Sequence, residues 1–192
     1  MSPSDLEYTM PTTLDVPPFP PLTSGYCSWE GIVNLRTWIG FQMPRVGQAT
    51  ASSPLSSDRA INLRVEWYGR DPVPPSSEQS AGFAYLLLHE GLVTDSVLTP
   101  IFEQYPQIRE HILNDYPHAS IAHLPEITHP EQLRPLLGIP TVHVLGASRD
   151  GMAYVGFEFD PVWENDHGIG VMTHGSHLVE IGPAETAFLR AS

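Results

Sequence analysis

The order of periodic segments along the chain predicts an α+β fold, a mainly antiparallel sheet with a central group of short helices packed on it. Three observations carry this. Strand patterns come first, helical patterns fill the middle, and closely spaced strand patterns joined by tight-turn residues close the chain. The repeated strand–helix alternation of a doubly wound parallel sheet is missing.

The elements follow in order. Residues 1–24 hold Pro3, Pro11, Pro17, Pro18, Pro20 and Pro21 and few large apolar groups. Proline fixes φ and lacks a donor, so this reads as an extended, disordered arm ahead of one folded domain, residues 25–192. Residues 31–41 are apolar, β-branched and aromatic, and read as a strand. Residues 61–68 alternate, with Ile61, Leu63, Val65 and Trp67 on one face and Asn62, Arg64 and Glu66 on the other. Period two means a half-buried strand. Residues 44–58 are rich in Ser, Pro, Gly and Ala and read as a loop.

Ser76 or Ser77 caps a helix running to about His89, with Glu78 in its first turn. Thr94 caps a second helix, 95–105, which Pro100 kinks or splits, and a third spans 106–114. Thr128 caps a short helix that buries Leu133, Leu136 and Leu137 and ends at Gly138. Strands 141–147 and 152–160 flank the turn Arg149-Asp150-Gly151. Strands 168–174 and 177–182 flank Gly175-Ser176.

Composition narrows the function. The chain of 192 residues is 41% hydrophobic, enough for a core, and has no apolar run of membrane-spanning length. Its start is acidic where a signal peptide is basic, so a cytoplasmic location is expected. Cys27 is the single cysteine, which excludes an internal disulfide and any multi-cysteine zinc site; it reads as a small buried hydrophobe. All nine basic residues are arginine, so Schiff-base lysines and the P-loop lysine are excluded. The net charge of −13 disfavours nucleic acid and anionic membranes as partners and admits a basic protein.

The densest chemistry lies near the end, in Glu158, Asp160, Trp163, Glu164, Asp166, His167 and His174. Glu158 and Asp160 sit ~7 Å apart on one face of a strand. Oxygen ligands with an imidazole suit Mn²⁺, Fe²⁺ or Zn²⁺, so Glu158, Asp160, His167 and His174 are the candidates for a divalent metal or for acid/base catalysis. The other reading is a loop tied by its own hydrogen bonds, with Gly168 and Gly170 supplying unusual φ or close packing. No recognised metal, dinucleotide or nucleophile-elbow spacing is present, so no cofactor is implied. His89, His111, His118, His123, His129 and His143 are dispersed and read as surface or helix-end residues.

The segment from Tyr154-Val-Gly-Phe-Glu158 through Trp163-Glu-Asn-Asp-His167-Gly-Ile-Gly-Val171 to Val179-Glu-Ile-Gly182 resembles the ending of an uncharacterised bacterial family, domain of unknown function 6985. That family closes on a Trp-x-x-x-His-Gly-x-Gly-Val motif. Ser77-Glu-Gln-Ser-Ala-Gly-Phe-Ala-Tyr-Leu-Leu87 and Trp29-Glu-Gly31 resemble it too, so the likeness covers roughly residues 25–189. The chain departs at Asn165-Asp166, where the family has Glu before the histidine, and at Pro183-Ala-Glu185, where it has Gly and Asp. If that Glu–His pair were functional, Asp166 would have to replace the Glu. Some similar small acidic bacterial proteins sit beside polymorphic toxins and act as immunity proteins. The resemblance therefore implies a protein-binding module, such as an immunity-type inhibitor of a basic toxin. Its acidic patch would need a desolvated anchor nearby, with Trp29, Trp38 and Trp163 as the candidates.

Overall fold

The computed structural model describes residues 12–41, 60–69, 71–115, 124–138, 140–163 and 168–189. Eight strands form one sheet in chain order: β1 (Thr13–Leu14), β2 (Leu22–Ser24), β3 (Ser28–Asn34), β4 (Ala60–Glu66), β5 (Thr141–Arg149), β6 (Met152–Phe159), β7 (Ile169–His174) and β8 (His177–Gly182). All neighbours are antiparallel except β4 and β5. A parallel pair needs a long crossover. Here it holds α1 (Ser77–Leu88), α2 (Glu90–Asp115) and a 3-10 helix, Pro130–Leu136. The architecture is α+β, as the sequence predicts.

The alternation in β4 does what its pattern implies. Ile61, Leu63, Val65 and Trp67 are buried under the helices with Val142 and Val144 of β5 and Val155, Phe157 and Phe159 of β6. Helix α2 adds Val93, Val97, Leu98, Ile101 and Tyr105 to the same core. Helix α1 starts in a capping box, in which Ser76 Oγ accepts from Gln79 N and Gln79 Oε1 accepts from Ser76 N. Gln79 Nε2 also donates to the Glu66 carbonyl at 2.6 Å, which ties the helix start to the end of β4.

Five expectations need correction. Residues 12–24 are not an arm: they carry β1 and β2, and Phe19 and Leu22 are buried, Phe19 stacked on Phe83 at 4.8 Å. Residues 1–11 lie outside the described residues, as does the loop expected at 44–58. The strand expected at 31–41 is Ser28–Asn34. The chain then turns and folds Leu35, Trp38 and Phe41 back into the core. The two helices expected at 95–105 and 106–114 are one, α2, with Pro100 and Pro106 inside it. Each proline forfeits one helical hydrogen bond, but the buried stripe from Val93 to Tyr105 runs across Pro100 and holds the helix together. Thr94 is no cap either, because its hydroxyl donates back to the Glu90 carbonyl at 2.7 Å. The last helix is a 3-10 segment, although Leu133, Leu136 and Leu137 are buried as expected.

No helix among the described residues is long and apolar enough to cross a membrane.

Candidate functional site

The sheet has a second face, turned away from the helices, and the chemistry gathers there. On β5 the residues opposite the core are His143 and Leu145; on β6 they are Tyr154, Gly156 and Glu158. His143 is only 7% exposed, and its Nε2 lies 2.9 Å from Glu158 Oε2. Its direct neighbour across the parallel pair is Arg64. Phe188 packs on its ring, with centroids 5.1 Å apart.

Phe188 reaches that position because the C-terminal 3-10 turn, Ala184–Ala187, lies directly on the sheet. A bed of glycines makes room. A Cβ on Gly156 would sit 1.7 Å from the Ala187 carbonyl oxygen, one on Gly170 2.5 Å from that of Pro183, and one on Gly182 2.6 Å from Thr186 Oγ1. Gly170 thus serves close packing. Gly168 supplies the unusual φ, +62°.

Beside His143 the face opens into a cavity of about 140 Å³, lined among others by Cys27, Arg64, Glu66, His143, Leu145 and Phe188. Glu66 Oε2 accepts from the Tyr68 hydroxyl at 2.7 Å and from Gly146 N at 2.8 Å. The Tyr68 ring lies over Gly146, where a Cβ would be 2.3 Å from Cε2. Tyr68 is 67% exposed as a whole, yet burial of its hydroxyl and then the Glu66 carboxylate push its pKa up to about 12. Both causes favour the neutral phenol. Since the folded value lies above the ordinary one, the Glu66–Tyr68 bond stabilises the fold below pH ~10 and is lost as pH rises towards 12. In Glu66→Gln, Tyr68 is expected to ionise nearer pH 10, read as tyrosinate absorbance in a Tyr68→Phe difference titration. An unchanged titration would show that the carboxylate does not hold the phenol.

The residues singled out from the sequence separate. Glu158 belongs to the His143 pair. His174 stands opposite Tyr154, and its Nε2 is 2.9 Å from the Arg149 carbonyl and 3.2 Å from that of Met152. Glu158 pairs with Gly170, four residues before His174 on β7, so the two are roughly 13 Å apart at ~3.3 Å per residue. Asp160 is exposed just beyond β6, where its carbonyl accepts from Gly138 N. Trp163 is half-buried and meets Tyr105 edge-on at 5.2 Å. Glu164, Asp166 and His167 lie outside the described residues. Among the described residues, no group of three or more His, Cys, Asp or Glu is placed to hold a metal ion.

Two readings change. His143 is not a dispersed surface histidine but the buried partner of Glu158. Cys27 is not buried: it is exposed, at φ +60°, in the turn before β3. The proposed anchors also shift. Trp29 and Trp38 are buried in the protein's own core, Trp29 Nε1 donating to the Val73 carbonyl.

A different surface offers exposed apolar groups. Along α2, Leu92 is 57% exposed, with Asp95, Ser96, Thr99 and Glu103 on the turns after it. Leu178 of β8, 44% exposed, closes an open groove of about 360 Å³ with Asp95, Ser96, Thr99, Pro100 and Glu103. Ser96 Oγ donates to the Ser176 carbonyl and fixes the helix against the β7–β8 turn. Asp95 and Glu103 make no ion pair among the described residues.

A family model described as a domain of unknown function, DUF6985, matches residues 39–189. The chain belongs to this family. The match takes in β4 to β8, both helices and the C-terminal turn, and with them the α2–β8 groove and the lining of the His143 cavity apart from Cys27 and Ser28; β1 to β3 precede it. No curated protein and no solved structure matches the chain. For this DUF6985 chain, geometry alone carries any reading of function.

Proposed function

We propose that the protein is a binding module that docks a basic protein on the groove between α2 and β8. One observation carries the proposal: exposed Leu178 lines the groove with two acids, Asp95 and Glu103, that the fold leaves unpaired among the described residues, and exposed Leu92 lies one turn of α2 before Asp95. Apolar side chains are the desolvated anchor that affinity needs, and unpaired acids at the rim steer a basic face and reject an acidic one. The expected acidic patch thus has aliphatic rather than aromatic anchors. The chain's net charge of −13 adds long-range attraction to the same partner. The concrete form of this reading is an immunity-type inhibitor held in the cytoplasm, and the partner a basic toxin.

The immobilised chain should retain a basic protein from its source cells, less of it as salt is raised. Leu178→Glu should weaken retention by roughly 30-fold, the loss of one anchor residue. Asp95→Asn with Glu103→Gln should slow association and flatten the salt dependence. Retention of the same protein by wild type and Leu178→Glu alike would place the interface elsewhere. For the inhibitor form, the captured protein expressed alone should arrest growth, and co-expression of wild type, but not of Leu178→Glu, should restore it.

A further inference from the structure

We infer that the cavity beside His143 is a binding site for a small hydroxy acid, with Arg64 taking its carboxylate and His143 Nδ1 its hydroxyl. The site is independent of the α2–β8 groove.

Charge on the cavity wall is unevenly committed. Glu158 is engaged by His143, and Glu66 by Tyr68 and Gly146. The five described arginines are Arg36, Arg64, Arg109, Arg134 and Arg149, and four of them have a carboxylate within 4.0 Å. Arg64 has none among the described residues, although it lines the cavity. A guanidinium presents a planar fork that matches a carboxylate, so a free one at a cavity mouth selects that group.

His143 supplies the second contact. A carboxylate only accepts, so Nε2 carries a hydrogen facing Glu158, and in the neutral ring Nδ1 is an acceptor. The His143 side chain is 9% exposed, and Nδ1 has no partner among the described residues. A buried acceptor on a cavity wall is matched by a donor on the occupant, and a hydroxyl is the donor that a small acid carries. Arg64 and His143 are direct cross-strand neighbours, so one small molecule spans both. Val144, Leu145 and Phe188 make part of the wall apolar. At ~10–15 Å³ per water-sized sphere, the 140 Å³ space holds roughly ten non-hydrogen atoms. Inorganic phosphate fits poorly, because it finds one cation, no apolar complement and two carboxylates close by.

The test is a titration of the full chain with 3-hydroxybenzoate at constant ionic strength, followed by NMR at the backbone amides and the His143 ring. Expected are saturable shifts at Arg64, His143, Leu145 and Phe188. Binding should be roughly tenfold weaker for the uncharged 3-hydroxybenzamide and for Arg64→Gln, and weaker for benzoate, which lacks the hydroxyl. No saturation, equal binding of the amide, or phosphate binding in place of the acid would overturn the assignment. So would undiminished binding by a folded Arg64→Gln. If that variant does not fold, the comparison of acid and amide on the wild type decides.

Discussion

Replacing Trp38 with alanine is expected to destabilise the protein by about 3–5 kcal/mol and to lower Tm by roughly 10–15 °C. Trp38 is fully buried. It stacks on Phe157 at 4.9 Å, Phe41 at 5.4 Å and Phe159 at 6.2 Å, all within 15° of parallel. It comes from the turn after β3, and Phe157 and Phe159 come from β6, so the stack bridges segments that are not neighbours in the sheet. The alanine variant loses the buried area, leaves a cavity and removes these ring pairs together. Trp38 Nε1 has no hydrogen-bond partner among the described residues, so phenylalanine gives up no bond there. Trp38→Phe should therefore cost well under half as much. Equal losses in the two variants, measured by urea unfolding, would mean that the stack is not the source of the stability.

Gly156→Ala is the second large effect. The added Cβ meets the carbonyl oxygen of Ala187 at 1.7 Å, and its carbon at 2.5 Å. This is backbone against backbone, with no flexible side chain to move aside, so the C-terminal turn must lift or β6 must shift. Overpacking of this kind costs about 1–3 kcal/mol. The turn carries Phe188, so a lifted turn uncovers the His143 ring. Faster proteolysis after residue 183 should accompany the loss of stability. Gly91→Ala is the control: nothing lies within 4 Å of its Cβ, and in α2 alanine is the better helix former, so stability should hold or rise. An unchanged Gly156→Ala protein with a protected C-terminus would contradict the glycine bed.

The sequence patterns that survived contact with the structure are those in which local and tertiary forces agree. The period-two run in β4 and the Ser76–Gln79 box of α1 are examples. The misread stretches are those where tertiary packing overrode a local signal. Pro100 and Pro106 ended helices on paper, yet a buried stripe carries α2 across Pro100. Four prolines between 17 and 21 masked the two apolar anchors, Phe19 and Leu22, that bind this segment to the core.

The His143–Glu158 pair lay within reach of the sequence, because it follows from the register of the hairpin. The turn at Asp150-Gly151 was legible, and both residues have positive φ, the signature of a type I′ hairpin. Counting outward from Arg149↔Met152 in an unbroken ladder would set His143 opposite Glu158. The ladder shifts between Val144 and Ser148, so Thr141 faces Glu158 and His143 faces Gly156. The slip is two residues, which keeps both side chains on one face and leaves them diagonal neighbours. The α2–β8 groove had no comparable signal, because Leu92 and Leu178 look like core residues until the packing leaves them exposed.

Docking of a protein on the groove between α2 and β8 would bury both elements. The most direct measurement is the hydrogen-exchange footprint of the retained basic partner on this chain. New protection is expected over residues 92–103 and 176–180, with the β5–β6 hairpin around Asp150 unchanged. Protection confined to the hairpin or to the His143 face, with α2 and β8 exchanging as in the free protein, would contradict docking on the groove.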